Sequence, residues 1–364
     1  MQSLDEKTWE PIAIGLQFNL CRGRESKSTV VEGGKLPFVS AKKTDNGYRM
    51  FVEPAKTKID GNTISLNNNG DGGAGFGYYQ PYQYTVDVNT TALIPLPHVP
   101  MNPLIGLFWV SCFSWMHAYF GNARTLSNKR AEVTKTMLPV TDSGEPDYEY
   151  MAEYARQKRN AMLAKYRAYV EARIAELGEA VEIPALNEKE WHKFAAFGEN
   201  GLFEIATTSS SIDGIRLIDG ANKVIPYVTR TDANNGITRF VCRDNLSYGS
   251  DAAACITVGL DTQTAFWQPH EFVTGQNIQV ISGDKLNYYL AQFLIPLFKS
   301  QMKAKFNWGG NGATLGRMKK LELMLPVTDS GEPDYEYMEQ YSKNMMLRKY
   351  QQYLTFLQQR SDAQ

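Results

Sequence analysis

The residues best able to do chemistry in this 364-residue chain are few and poorly assembled for catalysis. His98, His117, His192 and His270 stand at no recognisable spacing from a nucleophile, and they read as surface or core residues. Cys21, Cys112, Cys242 and Cys255 show neither C-x-x-C pairing nor metal-ligand spacing, which predicts reduced, mostly buried thiols. Gly70-Asp71-Gly72-Gly73-Ala74-Gly75 formally fits G-x-G-x-x-G. A dinucleotide site would need a helix to open there, yet an aromatic, strand-like run from Phe76 to Tyr84 follows. The P-loop, H-E-x-x-H and G-x-S-x-G patterns are absent, as are an adenine-methyltransferase Asn/Asp-Pro-Pro-Tyr/Phe motif and a nuclease carboxylate–lysine cluster. The chain by itself reads as non-catalytic.

Binding chemistry is better represented. Contact with DNA calls for Lys and Arg against phosphates, and for Arg, Asn, Gln or Lys against base edges. In the first half of the chain the candidates are Lys42, Lys43, Arg49, Lys56, Lys58, Asn67, Asn68, Asn69, Arg124, Lys129 and Arg130. In the second they are Arg230, Arg239, Arg243, Gln263, Asn311, Arg317 and Lys320. A net charge of −1 argues against a nucleic-acid partner until its distribution is considered. Eight carboxylates lie in two copies of one acidic segment, and elsewhere 38 basic residues face 31 acidic ones. The excess of seven permits DNA binding without demonstrating it.

That acidic segment is the main fact of the sequence. Met137 to Met151 reads MLPVTDSGEPDYEYM, and Met324 to Met338 repeats it letter for letter. Weaker matches extend the repeat along the chain. Leu4 to Trp9 matches Leu186 to Trp191, and Phe18-Asn19-Leu20 matches Phe203-Glu204-Ile205. Leu36 to Val39 matches Ile225 to Val228, Asp45-Asn46-Gly47 matches Asn234-Asn235-Gly236, and Phe51-Val52 matches Phe240-Val241. Tyr78 to Pro81 matches Phe266 to Pro269, and Met162 to Tyr166 matches Met346 to Tyr350. The chain is therefore two copies of a unit of about 180 residues, each large enough for its own core. Free divergence between matched anchors is what two readers of different targets on one frame would show.

The elements that must position these residues are mixed. Ile64-Ser65-Leu66 and Ile256-Thr257-Val258 predict short strands, each followed by a Gly-rich or polar loop and an aromatic run. Apolar segments from Leu104 to Phe120 and from Leu286 to Phe306 predict helices. The repeated block predicts a turn at Asp142-Ser143-Gly144, then a helix with Pro146 at its first position and Asp147 and Glu149 near the positive end of its dipole. A long helix of about 25 to 28 residues follows in each copy, roughly 40 Å at 1.5 Å per residue. Met151, Tyr154, Met162, Tyr166, Tyr169, Val170 and Ile174 form one stripe, and Met338, Tyr341, Met346, Tyr350, Tyr353 and Leu357 the other. Their spacing favours the two helices packing together, the alternative being that each packs on its own domain. The N-terminus lacks a signal peptide's charged region and apolar core, and no run reaches a membrane span, so a cytoplasmic protein is expected.

The repeated block resembles the conserved region of specificity (S) subunits of restriction–modification systems with split DNA sites, nearest to the BcgI-like type IIB branch related to the type I subunits. Leu202-Phe203-Glu204-Ile205 and the loop-plus-aromatic stretches Ile64 to Pro81 and Ile256 to Pro269 add to the likeness. The resemblance implies an α+β chain with target-recognition domains at 1–136 and 186–323 and conserved helical regions at 137–185 and 324–364. The long helices would form an antiparallel coiled coil that measures the spacer between two different half-sites. The implied partners are double-stranded DNA and a separate methyltransferase/endonuclease subunit, with S-adenosylmethionine and Mg²⁺ on that partner and no cofactor, metal or membrane for this chain. The residues alone leave open a specificity protein unattached to a restriction system. They equally leave open a duplicated interaction or carbohydrate-binding protein, suggested by the aromatic richness, which would show no salt-dependent DNA affinity.

Overall fold

A computed structural model of the chain describes residues 2–53, 55–69, 73–121, 124–306 and 312–362, with side chains described to residue 359. Two units are resolved, Met1–Tyr166 and Arg167–Gln364. The first contains β1 (Trp9–Ala13), β2 (Phe18–Arg22), β3 (Val31–Val39), β4 (Tyr48–Glu53), β5 (Thr63–Asn67), β6 (Gly77–Gln80), β7 (Thr85–Val86) and β8 (Thr90–Pro95). After these come α1 (Pro103–Cys112), α2 (Met116–Tyr119), α3 (Asn128–Val133), β9 (Lys135–Pro139) and α4 (Tyr148–Leu177), whose last third lies in the second unit.

The second unit continues with β10 (Trp191–Ala195), β11 (Glu204–Thr207), β12 (Ile225–Val228), β13 (Ile237–Val241), β14 (Cys255–Gly259), β15 (Thr264–Gln268), β16 (Val273–Thr274) and β17 (Ile278–Ser282). Then follow α5 (Tyr288–Lys305), α6 (Leu315–Met318), β18 (Glu322–Pro326) and α7 (Tyr335–Asp362).

The duplication extends to every sheet. Unit one has an antiparallel sheet ordered β2-β8-β5-β6, a small sheet β4-β3-β7 and a closing pair β1-β9. Unit two has β11-β17-β14-β15, β13-β12-β16 and β10-β18. In both small sheets the short third strand runs parallel to the central one. One face of each large sheet is covered by an apolar helix. Ile105, Phe108 and Trp109 of α1 pack in one cluster with Ile64, Leu66 and Leu93. Leu290, Leu294 and Phe298 of α5 do the same with Ile256, Val258 and Ile281. Asn102 and Asn287 start these helices by accepting from the second and third backbone N–H groups at 2.9 to 3.1 Å.

Two matched motifs meet in space. The Gln80 amide donates to the Asn46 carbonyl at 3.1 Å and to the Ser65 hydroxyl at 2.9 Å. Gln268 repeats this on Asn235 at 3.0 Å and Thr257 at 3.0 Å. The Asx-Asn-Gly turn after each small-sheet strand is thus tied to the large sheet by the Gln of the aromatic-Gln-Pro motif.

The repeated block is a strand, a turn and a helix cap. Its first residues, Met137 to Pro139, complete β9, which crosses the boundary drawn at residue 136, as β18 crosses the one at 323. Gly144 and Gly331 turn the chain at φ of 83° and 82°, a region that favours glycine. Pro146 is not the first helical residue. It and Pro333 bridge back to Val140 and Val327, because a turn closed by the Thr141 N–H on the Glu145 carbonyl holds them extended. The cap is Asp147, whose carboxylate accepts from the Tyr150 N–H at 2.9 Å, and in the second copy Asp334 accepts from Tyr337 at 3.0 Å. Lys7 and Lys189, carried in from the start of each unit, pair with these carboxylates at 2.7 and 2.8 Å.

The apolar stripes of the long helices serve two purposes. Met151 and Met338 are fully buried in their own domain cores, and Tyr154 and Tyr341 pack on Phe108 and Phe293. Further along, within the second unit, the end of α4 lies on α7. Tyr169 meets Tyr350 edge to face at 6.4 Å, and the Asn344 side chain holds both backbone groups of Val181 at 2.7 and 3.2 Å. Later residues of one partner thus meet earlier residues of the other, so the contact is antiparallel.

Partial burial opposes ionisation of Asp147 and Asp334, but the lysine and the capped N–H groups outweigh it and hold both carboxyls below the ordinary range. Their contribution is complete above the unfolded value near 4 and disappears as pH falls through the lower folded value. Thermal melts from pH 7 down to pH 2 are therefore expected to show an acid-side loss that is smaller in the double variant Asp147→Asn, Asp334→Asn. The parent at neutral pH should exceed the single variant Asp147→Ala by about 1 kcal/mol or more. Identical acid limbs for parent and double variant would contradict this account.

Candidate nucleic-acid interface

In each unit the same three stretches converge at one end of the sheets. The first leaves the central small-sheet strand, at 40–44 and 229–233. The second joins a middle strand of the large sheet to its edge strand, β5 to β6 at 67–69 and 73–76 in unit one and β14 to β15 at 260–263 in unit two. The third is a strap that takes in part or all of the last short helix, at 124–130 and 312–320.

In unit one the Lys42 carbonyl accepts from the Asn67 amide at 3.1 Å and the Tyr78 hydroxyl at 3.0 Å. The Asn68 amide donates to the Leu126 carbonyl at 2.5 Å, while the Leu126 N–H returns to the Asn68 carbonyl at 2.9 Å. The Thr91 hydroxyl completes the knot on Asn68 and Asn128 at 2.7 and 2.6 Å. Lys42, Lys43, Arg124, Lys129 and Arg130 are thereby gathered at this end. Lys43, Arg124, Lys129 and Arg130 are exposed and Lys42 is half-exposed, pairing with Asp45.

Asn67 and Asn68 are not free to read a base edge. Both are buried, and their amides are spent inside the fold. Asn69 is half-buried beside them. Asparagines in a loop ordinarily suggest exposure, but here Asn67 is tied to Lys42 and Asn68 to the strap.

Unit two builds the same end with other side chains. Arg230 pairs with Asp261 across the first two stretches. Ala313 N–H donates to the Leu260 carbonyl at 3.2 Å, and the Gln279 amide to the Ala313 carbonyl at 3.0 Å. Gln263, held at a positive φ of 54°, donates to the Phe306 carbonyl at 2.9 Å. Arg130 and Arg317, separated by the offset of the repeated block, each fold back on the strap, to the Thr125 carbonyl at 2.7 Å and the Gly312 carbonyl at 3.0 Å. Lys320 is exposed nearby, and Asn311 lies outside the described residues, as do Gly70 to Gly72 of the glycine-rich pattern.

The remaining candidates sit elsewhere. Arg49 is on the outward face of β4 and Arg239 on β13. Burial raises the Asp87 carboxyl above its ordinary value, against Asn89, Thr90 and the Arg49 charge, which lower it. Lys56 and Lys58 follow β4, with Lys58 in a cleft shared with Lys35, Phe51 and Tyr82. Arg243 opens the 3-10 turn after β13. All five are exposed. Sequence reasoning passed over Thr91, Asn128 and Tyr119; the constant offset linking Arg130 to Arg317 was the available signal for the strap.

Among the described residues no cluster of His, Cys, Asp and Glu could hold a metal ion. Burial pushes the Cys112 and Cys255 thiols up to about 12, which keeps them protonated and unreactive. Among the described residues no helix is long and apolar enough to cross a membrane.

Residues 176–354 match the family model described as the type I restriction modification DNA specificity domain. Over that span the chain belongs to this DNA specificity-domain family of restriction–modification systems. The matched span covers nearly all of unit two, and the first unit carries the same sheets, strap and identical block. The chain is also similar to the specificity subunit S.BcgI of a type II restriction enzyme from Heyndrickxia coagulans, with 25% identity over 316 residues and 85% of each chain covered. Among solved structures it is similar to the type I S subunit of M. genitalium, at 12% identity and a TM-score of 0.48, covering 100% of this chain and 94% of that one. A second similar structure is the HsdS subunit of Thermoanaerobacter tengcongensis, at 10% identity and a TM-score of 0.30, covering 96% and 91%.

In this specificity subunit the strap depends on Asn68. Asn68→Ala removes the donor to Leu126 and the acceptor of Thr91, leaving buried polar groups unpaired. Urea unfolding should show a loss of about 1–3 kcal/mol. A loss below about 0.5 kcal/mol, the range of an ordinary surface change, would mean the strap is held by something else.

Proposed function

We propose that the chain is the sequence-reading subunit of a restriction–modification complex, that each unit reads one half of a split, asymmetric DNA site, and that it directs a separate methyltransferase/endonuclease subunit there. One observation carries this reading. The same loop end is built twice from equivalent stretches on the same frame, and the side chains presented differ: Lys42 and Lys43 against Thr231 and Asp232, and Lys129 against Gly316. A duplicated protein with one ligand would keep its binding residues and let its frame drift. Here the frame is kept and the exposed residues change.

Lys42, Lys43, Arg124, Lys129 and Arg130 are the proposed DNA contacts of the first unit, and Arg230, Gln263, Arg317 and Lys320 those of the second. Arg49, Lys56, Lys58, Arg239 and Arg243 would touch a duplex only if it also passed along the small sheets. The recognition domains at 1–136 and 186–323 would be joined by the helices of 137–185 and 324–364. S-adenosylmethionine and Mg²⁺ belong in this reading to the partner, which supplies the transferable methyl group and the metal for cleavage. The site of action is the cytoplasm, where the cell's DNA is.

The long helices set the separation of the half-sites in this account. Adding one turn, about 5.4 Å, after Tyr166 should change the spacer accepted by the complex. An unchanged spacer would remove the helices from that role. Charge reversal at Arg124, Lys129 and Arg130 should weaken selection of one half-site and leave the other intact, as read by binding to duplexes altered in one half at a time. Binding should also fall steeply with salt, since each phosphate neutralised releases counterions. Co-purification without a large catalytic partner, combined with salt-dependent DNA binding, would favour a specificity protein unattached to a restriction system. Salt-independent behaviour would overturn the DNA reading.

A further inference from the structure

We propose that Arg124, held over the face of the Tyr119 ring, reads a guanine in duplex DNA and is a specificity-determining residue of the first unit. This rests on the specificity-subunit reading and adds the base. The Arg124 guanidinium carbon lies 4.0 Å from the centroid of the Tyr119 ring and 6.0 Å from that of Phe120.

Both ends of this side chain are held. At its root, the Arg124 N–H donates to the Gly121 carbonyl at 3.0 Å and its carbonyl accepts from the Gly121 N–H at 3.1 Å. At its tip, Tyr119 ends α2, whose first residue, Met116, is fully buried in the domain core. Phe120, also buried, braces Tyr119 edge to face at 5.1 Å, and Trp115 flanks it at 5.8 Å. Tyr119 and Trp115 are nevertheless 49% and 40% exposed, so the stacked pair stands at the surface on a rigid base. Two residues further on, the strap is knotted to Asn68.

An exposed arginine ordinarily samples many rotamers. Stacking on an aromatic face fixes the plane of the guanidinium and leaves its N–H edge pointing outward in that plane. Guanine offers two acceptors, O6 and N7, on its major-groove edge, which match that planar fork. A phosphate accepts from many directions and carries no sequence information, so a fixed plane gains it less. At the offset of the repeat the second unit has Asn311 in place of Arg124, and asparagine pairs best with adenine.

The test uses the complete complex with its catalytic partner, and duplexes carrying the split site defined by the methylation pattern. Each guanine of that site is replaced in turn by 7-deazaguanine, which lacks the N7 acceptor. The parent should lose roughly three- to tenfold in affinity at one guanine of a single half-site, since the replacement removes one of the two hydrogen bonds of a bidentate contact. Arg124→Lys and Tyr119→Leu should be indifferent to that replacement, whereas Tyr119→Phe, which keeps the ring, should behave as the parent. If every guanine tolerates replacement, or if Tyr119→Leu keeps the parent's discrimination, the proposal is overturned. It is equally overturned if Arg124→Gln weakens all sequences alike and flattens the salt dependence by about one counterion, the signature of a phosphate contact. A parent complex that selects no split site would instead refute the specificity reading itself, before any variant is compared.

Discussion

The carboxylates of Asp147 and Asp334 are where each recognition domain is joined to its long helix. Each aspartate caps the first turn of the helix and pairs with a lysine from the opposite end of its own unit, Lys7 or Lys189. The ammonium groups also lie 5.2 and 5.0 Å above the rings of Tyr150 and Tyr337, within the same turn. Cap, ion pair and ring together lock the direction in which the helix leaves the domain. They draw on residues far apart in sequence, so the helix is oriented only once the domain has closed. The strand pairs β1-β9 and β10-β18 provide that closure, with Trp9 opposite Pro139 and Trp191 opposite Pro326.

This junction explains why the repeated block is identical while the rest has diverged. Its inward residues, Leu138, Val140, Tyr150 and Met151, are buried, as are Leu325, Val327, Tyr337 and Met338. Its turn residues satisfy each other through hydrogen bonds of the same lengths in both copies. A change at most of these positions alters packing, a turn or a cap. The exposed side chains at the loop end, such as Lys43, Arg124, Lys129 and Arg130, face water and can change without disturbing the core, which is what permits two readers on one frame.

Much of this frame was legible in the sequence. The strands at Ile64 to Leu66 and Ile256 to Val258, the second apolar helix and the long helices formed where periodicity and turn residues placed them, whereas the segment from Leu104 to Phe120 is two helices, α1 and α2, broken by a turn at Phe113 to Trp115. The stripe on the long helices was legible as a stripe but not in its partners. Met151 and Tyr154 pack on their own domain, whereas Tyr169 meets Tyr350, and spacing alone does not distinguish the two environments. Pro146 misled because proline suits a first helical position, and only the closed turn before it shows that Asp147 is the cap. Asn67 and Asn68 misled because Asn67 is tied to Lys42, 25 residues away, and Asn68 to a strap 58 residues away, both beyond the reach of local pattern. The contact of Arg124 with Tyr119 spans only five residues, but no periodicity or turn motif in the sequence marks it.

The central claim is that two interchangeable readers stand on one repeated frame. The most direct measurement replaces residues 186–323 by a second copy of residues 1–136 and sequences adenine methylation in cells that carry the catalytic partner. The account predicts a new methylated site whose two halves are identical, separated by the original spacer. Retention of the original asymmetric site, or a new site with unlike halves, would contradict it.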